Sequence, residues 1–506
     1  MSQLTRNVVA NFIGRGWTAI VLVAFVPLYI DLLGIEAYGL IGLFVSLQTL
    51  TSVLDLGLST TLNREVTRLA AQPGREQETR DLVCTLEWIY WGAAGLIMLL
   101  AFGLAPLVAG YWITSQSLPE ETVRRACFFM GVAVALRFPF ALYSGGLLGL
   151  QRQVLFNALL VFTTALQWVG ALVLLKVIPP TITSFFIWQV VASGLQTAAS
   201  AFLLWRLLAR AAGGAHFRKP LLSEIWHFAA GMAGISVFAI IVTQVDKVVL
   251  SRLLTLEAFG YYSLATLLAS GLTLLAGPVF TAIFPRFSQL VVDGDTAGLV
   301  AFYHAGSQVA AVCVLPAAVV IALFSPEILY VWTGNAHIVE SASTLVSVLT
   351  VGSALNALVF VPYALQLAYG WTRLALYQNI IIAILIVPAL LWATSRFGAV
   401  GAAAVMAVRG AGEVLVGVSL MHSRLLRGER LRWYWQDIGL PLAGALVGTL
   451  ALRFILPLPG SPSATAISLL AVSGVALAAS ILLTPFTRQW IGGVLLGRAP
   501  IRADRT

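Results

Sequence analysis

The sequence predicts an all-α integral membrane protein of about fourteen transmembrane helices, arranged as two parallel six-helix bundles followed by a C-terminal helix pair. Three observations predict it. Of 506 residues, 59% are apolar and only 10% charged, with a mean hydropathy of +0.92, where a soluble domain carries about 25% charged residues. The apolar residues fall in runs of spanning length, and a set of short motifs recurs at a nearly constant offset. One or two anchors on a globular body would be diluted by that body, so most of the chain lies in lipid. A soluble globular protein, a disordered chain and a secreted disulfide scaffold are excluded.

A spanning helix takes about 20 residues. Runs of that length lie at 8–30, 39–62, 86–110, 122–148, 154–175, 181–205, 226–250, 260–284, 304–325, 342–368, 375–394, 398–421, 437–456 and 464–484. They are too long and too uniformly apolar for the period-two alternation of barrel strands. The first run is long enough to stay as a span, and no cleavable signal is evident. With the N-terminus placed in the cytoplasm, twenty of the thirty Lys and Arg residues fall on the cytoplasmic side. Six fall outside: Arg124, Arg125, Lys176, Arg252, Arg396 and Arg453. That bias sets both termini in the cytoplasm. Trp205, Trp226, Trp433 and Trp490 sit at predicted cytoplasmic ends, as interfacial anchors. The net charge of +9 is therefore a topology signal, and nucleic acid drops out as a partner.

The repeat is explicit in the residues. Leu32-Leu33-Gly34-Ile35-Glu36-Ala37-Tyr38-Gly39 recurs as Leu253-Leu254-Thr255-Leu256-Glu257-Ala258-Phe259-Gly260, an offset of 221. Pro139-Phe140-Ala141-Leu142 recurs as Pro362-Tyr363-Ala364-Leu365, and Arg152 and Asn157 as Arg373 and Asn379. Six spans separate the mates. An even number preserves orientation, so the halves are parallel repeats about an axis along the membrane normal, a transporter pattern with the pathway expected between the bundles. The predicted organisation is a six-helix bundle over 1–210, a cytoplasmic linker over 211–224, a second bundle over 225–424, and helices 13 and 14 with the tail over 425–506.

Seven charges fall within predicted spans: Arg15, Arg137, Lys247, Arg409, Asp55, Asp246 and Glu413. Each costs ~2.5–3.5 kcal/mol at mid-bilayer on the insertion scale, so they face a cavity or one another rather than lipid. Asn7, Asn11, Arg15 and Thr18 share one face of helix 1, and Gln48, Ser52, Asp55, Ser59 and Asn63 one face of helix 2. Two such stripes read as the wall of a wet cavity, with an internal Arg15–Asp55 tether as the structural alternative. Asp246 and Lys247 are sequence neighbours and point about 100° apart on a helix, so at least one is expected to reach the cavity. Arg409 and Glu413, at i,i+4, can form a local ion pair, on a helix where Gly398, Gly401, Gly410 and Gly412 allow close packing. Pro139 interrupts helix 4 beside Arg137 and predicts a bend there. Cations outnumber carboxylates in this set, so an anionic group is the natural cargo, and a guanidinium can hold phosphate oxygens bidentately.

Catalytic signals are nearly absent. Asp293-Gly294-Asp295 spells a DxD, but Asp-Gly between two spans reads as a turn. There is no HExxH, GxSxG or GxxxxGK[ST], and the segment 63–85 is too short for a soluble catalytic domain. A non-enzyme is expected, with no metal and no cofactor. Cys84, Cys127 and Cys313 lie far apart and read as small apolar packing residues.

The chain resembles the polysaccharide and lipid-linked oligosaccharide (O-antigen type) flippases of the multidrug/oligosaccharidyl-lipid/polysaccharide exporter superfamily. The resemblance rests on Asn11-Phe12-Ile13-Gly14, Pro27-Leu28-Tyr29, Leu33-Gly34-Ile35-Glu36-Ala37-Tyr38-Gly39, Leu54-Asp55-Leu56-Gly57-Leu58, and Gln244-Val245-Asp246-Lys247 leading to Phe259-Gly260-Tyr261-Tyr262-Ser263-Leu264-Ala265. It implies a bacterial inner-membrane protein that carries undecaprenyl-pyrophosphate-linked oligosaccharide to the periplasmic leaflet by alternating access. By that analogy Arg15, Arg137, Lys247 and Arg409 hold the anionic head, and helices 13 and 14 guide the prenyl tail. Asp55, Asp246 and Glu413 are the candidates for binding a coupling proton or sodium ion. Membrane lipids and glycan polymerase or ligase machinery are the expected partners. An ion-coupled drug or small-solute exporter of the same superfamily is the alternative. A membrane glycan polymerase or ligase is disfavoured by the lack of a large periplasmic loop.

Overall fold

The computed structural model describes residues 16–17, 20–209, 213–221, 242–455 and 461–489. Among them there are helices and no strand, only an isolated bridge between Thr114 and Thr255. Eleven helical runs are long and apolar enough to cross a membrane, and they cover twelve predicted spans because Thr372–Leu425 holds two. In that run Gly398 adopts φ 60°, ψ −145°, a left-handed turn that separates one helix from the next. Predicted span 7 falls largely outside the described residues, and of predicted span 1 the structure describes residues 16–17 and the shorter apolar helix Ile20–Leu33. The chain divides into two compact units, Met1–Gly260 and Tyr261–Thr506.

The first unit contains α1 (Ile20–Leu33), α2 (Ile35–Thr51), α3 (Leu58–Ala70), α4 (Glu76–Leu107), α5 (Glu120–Arg137), α6 (Phe140–Gly149), α7 (Gln153–Val177) and α8 (Ile182–Leu207). Residues 242–253 form α9. The predicted span over 39–62 is not continuous. A 3-10 turn, Ser52–Asp55, ends α2, and Leu56 (φ 47°) and Gly57 (φ 75°) are left-handed before α3 begins. A leucine in that region costs ~1–2 kcal/mol, so the surroundings must hold it there. They do so through α3, whose Leu58, Leu62, Val66 and Leu69 are buried against Leu82, Leu86, Tyr90, Leu142 and Leu147. On α6, Gly145 and Gly149 lie against the backbone of Ser59 and Asn63, the close approach that small residues one turn apart permit. The bend expected at Pro139 is present, because α5 ends at Arg137 and α6 starts at Phe140.

Beginning in the first unit, α10 (Leu256–Asp293) continues into the second. The second unit adds α11 (Thr296–Leu323), α12 (Ser325–Thr333), α13 (Ala336–Leu358), α14 (Phe360–Ala368), α15 (Thr372–Gly412), α16 (Ser419–Leu425), α17 (Leu440–Ile455) and α18 (Pro462–Leu483). Asp293-Gly294-Asp295 is the turn the sequence predicts: Gly294 has φ 69°, and Asp295 caps α11 by accepting the Gly298 N–H at 2.8 Å. Pro362, the repeat mate of Pro139, lies in the first turn of α14, just after a second break at Val359. Gly444 and Gly448 of α17 pack on the backbone of Ala479 and Val475 of α18, which holds the C-terminal pair together.

That pair is fastened to α11 by a buried polar cluster. His304 Nδ1 meets Asp437 Oδ2 at 2.5 Å and its Nε2 meets Glu429 at 2.9 Å. Gln308 donates to Asp437 at 2.8 Å and accepts the Phe486 N–H at 2.9 Å. Trp433 is fully buried and donates to Ser307 at 3.2 Å. It is therefore a core residue and not the interfacial anchor its position predicts, because its ring packs against His422 and Tyr434 instead of lipid. Trp226 and Trp490 lie outside the described residues. Cys84, Cys127 and Cys313 are unpaired, and Cys313 is exposed rather than packed inside.

Candidate functional site

The break in the second predicted span builds the site of the first unit. Ending α2 at a 3-10 turn swings Asp55 back over the start of α3, where its carboxylate accepts from Ser59 N at 3.3 Å and Ser59 Oγ at 2.9 Å. Tyr90 of α4 donates to the same carboxylate. A carboxylate at the first turn of a half-helix satisfies an N–H that the break has orphaned and meets the positive end of the helix dipole. Beside it, Gln48, Thr51, Ser52, Asp55, Arg137 and Phe138 line a cavity of about 130 Å³.

Arg137 reaches this cavity from the end of α5, where the Pro139 break stops the helix. Its Nη1 donates to Gln167 Oε1 at 2.9 Å. Gln167 in turn donates to Gln196 at 2.8 Å, and Gln196 to Thr163 at 3.1 Å. Thus three neutral amide and hydroxyl groups on α7 and α8 hold the guanidinium in place. No described carboxylate lies within ion-pair distance of it. A cation inside a span that is positioned but not neutralised favours an anion in the cavity.

Neither Asp246 nor Lys247 lines this cavity. Arg15, with Asn7, Asn11 and Thr18, lies outside the described residues, and so does the Arg15–Asp55 tether. Asp246 and Lys247 pair with each other, Nζ to Oδ1 at 3.2 Å, and Lys247 also donates to the Thr243 carbonyl. The expected divergence of their side chains fails because the flexible lysine stem folds back along α9. In the second unit, Arg409 and Glu413 form the local i,i+4 pair at 2.8 Å, with Asn356 donating to Glu413 at 3.0 Å. Gly410 packs on Gly352, whereas Gly412 faces open space. The pair lies at a π-helical turn, Glu413–Val418, and Arg409 Nε is buried without a partner.

The repeated octapeptide forms a second feature of the first unit. A Cβ on Gly39 would lie 2.5 Å from the Leu256 carbonyl oxygen, and a Cβ on Gly260 would lie 2.5 Å from that of Ile35. Ile35 and Leu256 are repeat mates, and so are Gly39 and Gly260, so each glycine packs on the partner of the other's neighbour. Around this contact, Glu36 accepts the N–H groups of Gln116, Ser117 and Leu118 at 2.7, 2.9 and 3.1 Å. The same loop gives its Thr114 carbonyl to Leu256 N at 2.8 Å, and Trp112 donates to Ser251 at 3.0 Å.

Residues 4–291 match the family described as polysaccharide biosynthesis protein. The chain belongs to that family. A putative O-antigen transporter of Shigella flexneri is 18% identical over 425 residues, covering 80% of this chain and 95% of that one. A structure of the lipid II flippase MurJ in an inward closed conformation superposes with a TM-score of 0.74 at 14% identity, covering 97% of this chain and 99% of that one. An inward-facing multidrug transporter of the MATE family gives a TM-score of 0.66 at 13% identity over 84% of this chain and 98% of that one. The family member described above therefore has the fold shared by lipid flippases and multidrug transporters and is a multi-pass membrane protein.

The sequence missed the neutral holders of Arg137. Gln167 and Gln196 are glutamines inside apolar runs, which is itself an unusual placement and was the available signal. It also missed Tyr90, which reads as one aromatic among many.

Proposed function

We propose that the protein is a flippase that moves undecaprenyl-pyrophosphate-linked oligosaccharide from the cytoplasmic to the periplasmic leaflet of the bacterial inner membrane by alternating access, and that it is not an enzyme. The observation that carries this reading is Arg137, a cation fixed by neutral groups at the wall of a small cavity, with no described carboxylate within ion-pair distance of it although Asp55 lines the same cavity. Family membership and the O-antigen transporter relative support the substrate class. In this reading Arg137, with Arg15, Lys247 and Arg409, attracts the pyrophosphate, and helices 13 and 14 guide the prenyl tail. Both termini are cytoplasmic, following the Lys/Arg bias. A coupling proton or sodium ion binds at Asp55, Asp246 or Glu413, and polymerase or ligase machinery receives the product. In the same reading the Gly39/Gly260 contact of the first unit lies on the extracytoplasmic side, following the Lys/Arg bias, and is made and broken once per cycle.

The likeness to multidrug transporters supports an ion-coupled exporter of small solutes as the second reading. The two separate in one experiment. A deletion strain is examined for lipid-linked glycan, with the leaflet assigned by a membrane-impermeant probe. The flippase reading expects glycan to accumulate in the cytoplasmic leaflet, while the exporter reading expects its distribution unchanged and a solute retained instead.

A further inference from the structure

A cavity of about 750 Å³ in the first unit belongs to neither the Arg137 site nor the glycine contact. It opens between the end of α4 and the starts of α5 and α8, all three of which the Lys/Arg bias places at the outer membrane face. Its walls are apolar, with Phe102, Pro106, Phe128 and Ile187 among them. Phe102 and Phe128 meet edge to face at 6.2 Å, yet Phe102 remains 73% exposed. At the rim stand Arg124 and Arg125, both paired to the single carboxylate of Glu121. The arithmetic of the rim leaves one positive charge and most of ten guanidinium N–H donors unspent.

Two adjacent arginines on the outer side work against the bias that orients the chain, so their place there needs a compensating role. We propose that this cleft is a binding site for an anionic glycerophospholipid of the outer leaflet. One acyl chain lies against the aromatic wall, and the phosphodiester sits on Arg124 and Arg125. A single net positive charge matches a monoanionic phosphodiester better than the higher charge of a pyrophosphate. Apart from the three charged rim residues, Thr183 is the sole polar side chain lining the cleft among the described residues, which leaves little with which to recognise a glycan. Basic pockets between spanning helices bind lipid head groups by the same electrostatics.

The full-length protein, purified in detergent and delipidated, is titrated with phosphatidylglycerol or phosphatidylcholine of identical chains, and bound lipids are counted by native mass spectrometry. Phosphatidylglycerol is expected to bind about fivefold more tightly, and the double variant Arg124→Gln, Arg125→Gln to lose that preference while keeping its affinity for phosphatidylcholine. Glu121→Gln releases both arginines and is expected to tighten phosphatidylglycerol binding, which decides the matter if the double variant does not fold. Equal affinity for the two lipids overturns the proposal, as does an unchanged preference in the double variant or no gain in Glu121→Gln. Undecaprenyl pyrophosphate displacing phosphatidylglycerol more tightly than it is held would assign the cleft to the transported lipid instead. None of these readouts depends on transport.

Discussion

Replacing Gly39 or Gly260 by valine tests whether the reciprocal contact holds one conformation of the transport cycle. In the structure a Cβ at either glycine falls 2.5 Å from a backbone carbonyl oxygen, about 0.9 Å short of ordinary contact. The obstructing atoms are Leu256 O and Ile35 O, so the obstacle is backbone and cannot rotate away. Overpacking of this kind costs ~1–3 kcal/mol. Applied only to the state in which the two segments touch, that cost shifts the equilibrium towards the separated state by about 5–150-fold. The assay uses Gln48→Cys, at the cavity beside Asp55, in a background with Cys84, Cys127 and Cys313 replaced by serine. Labelling of intact cells by an impermeant maleimide should rise at least about fivefold in Gly39→Val and equally in Gly260→Val. Because the contact is reciprocal, the two variants must behave alike. An unchanged labelling rate in well-folded variants, or a response from one glycine alone, would refute the reasoning.

Three further outcomes follow from the same geometry. Arg137→Gln should abolish delivery of glycan to the outer leaflet while the protein still reaches the membrane, and Arg137→Lys should restore part of it, since a lysine keeps the charge but loses the bidentate geometry; full activity of Arg137→Gln in the leaflet assay would remove the anion-site argument. Asp55→Ala removes the cap on Ser59 and the acceptor of Tyr90, and should cost ~0.5–2 kcal/mol, read as a lower thermal midpoint, with Asp55→Asn recovering much of it. His304→Ala leaves buried Asp437 with Gln308 alone, at a cost of up to ~3–5 kcal/mol, so the C-terminal helix pair should become sensitive to limited proteolysis before the first unit does; simultaneous cleavage of both would contradict the assignment of that cluster as the fastening of α17 and α18 to α11.

The membrane class and the positions of twelve spans were legible because they depend on long stretches of solvent preference, which composition and periodicity report directly. Pro139 announced its break, since a missing N–H acts wherever it falls. The break at Leu56–Gly57 was hidden. Leu54-Asp55-Leu56-Gly57-Leu58 reads as a continuous part of helix 2, and a leucine takes a left-handed conformation only when tertiary packing on α6 imposes it. Asp55 was found by its burial cost, but its partners were not, because Tyr90 lies on another helix and sequence spacing carries no information across helices. The Asp246–Lys247 pair shows the reverse error. Helical geometry separates the two Cα–Cβ directions, yet a four-carbon stem is long enough to return. Trp433 was misplaced for a third reason: the rule that puts tryptophan at the interface assumes lipid beside it, and here the buried His304 cluster occupies that side.

The most direct measurement is made on the purified protein in proteoliposomes carrying undecaprenyl-pyrophosphate-linked oligosaccharide, with the fraction exposed on each leaflet followed by an impermeant glycan-specific probe. The proposal predicts protein-dependent transfer between leaflets that is lost in Arg137→Gln. Transfer equal to that of protein-free vesicles, or transfer indifferent to Arg137, would contradict it.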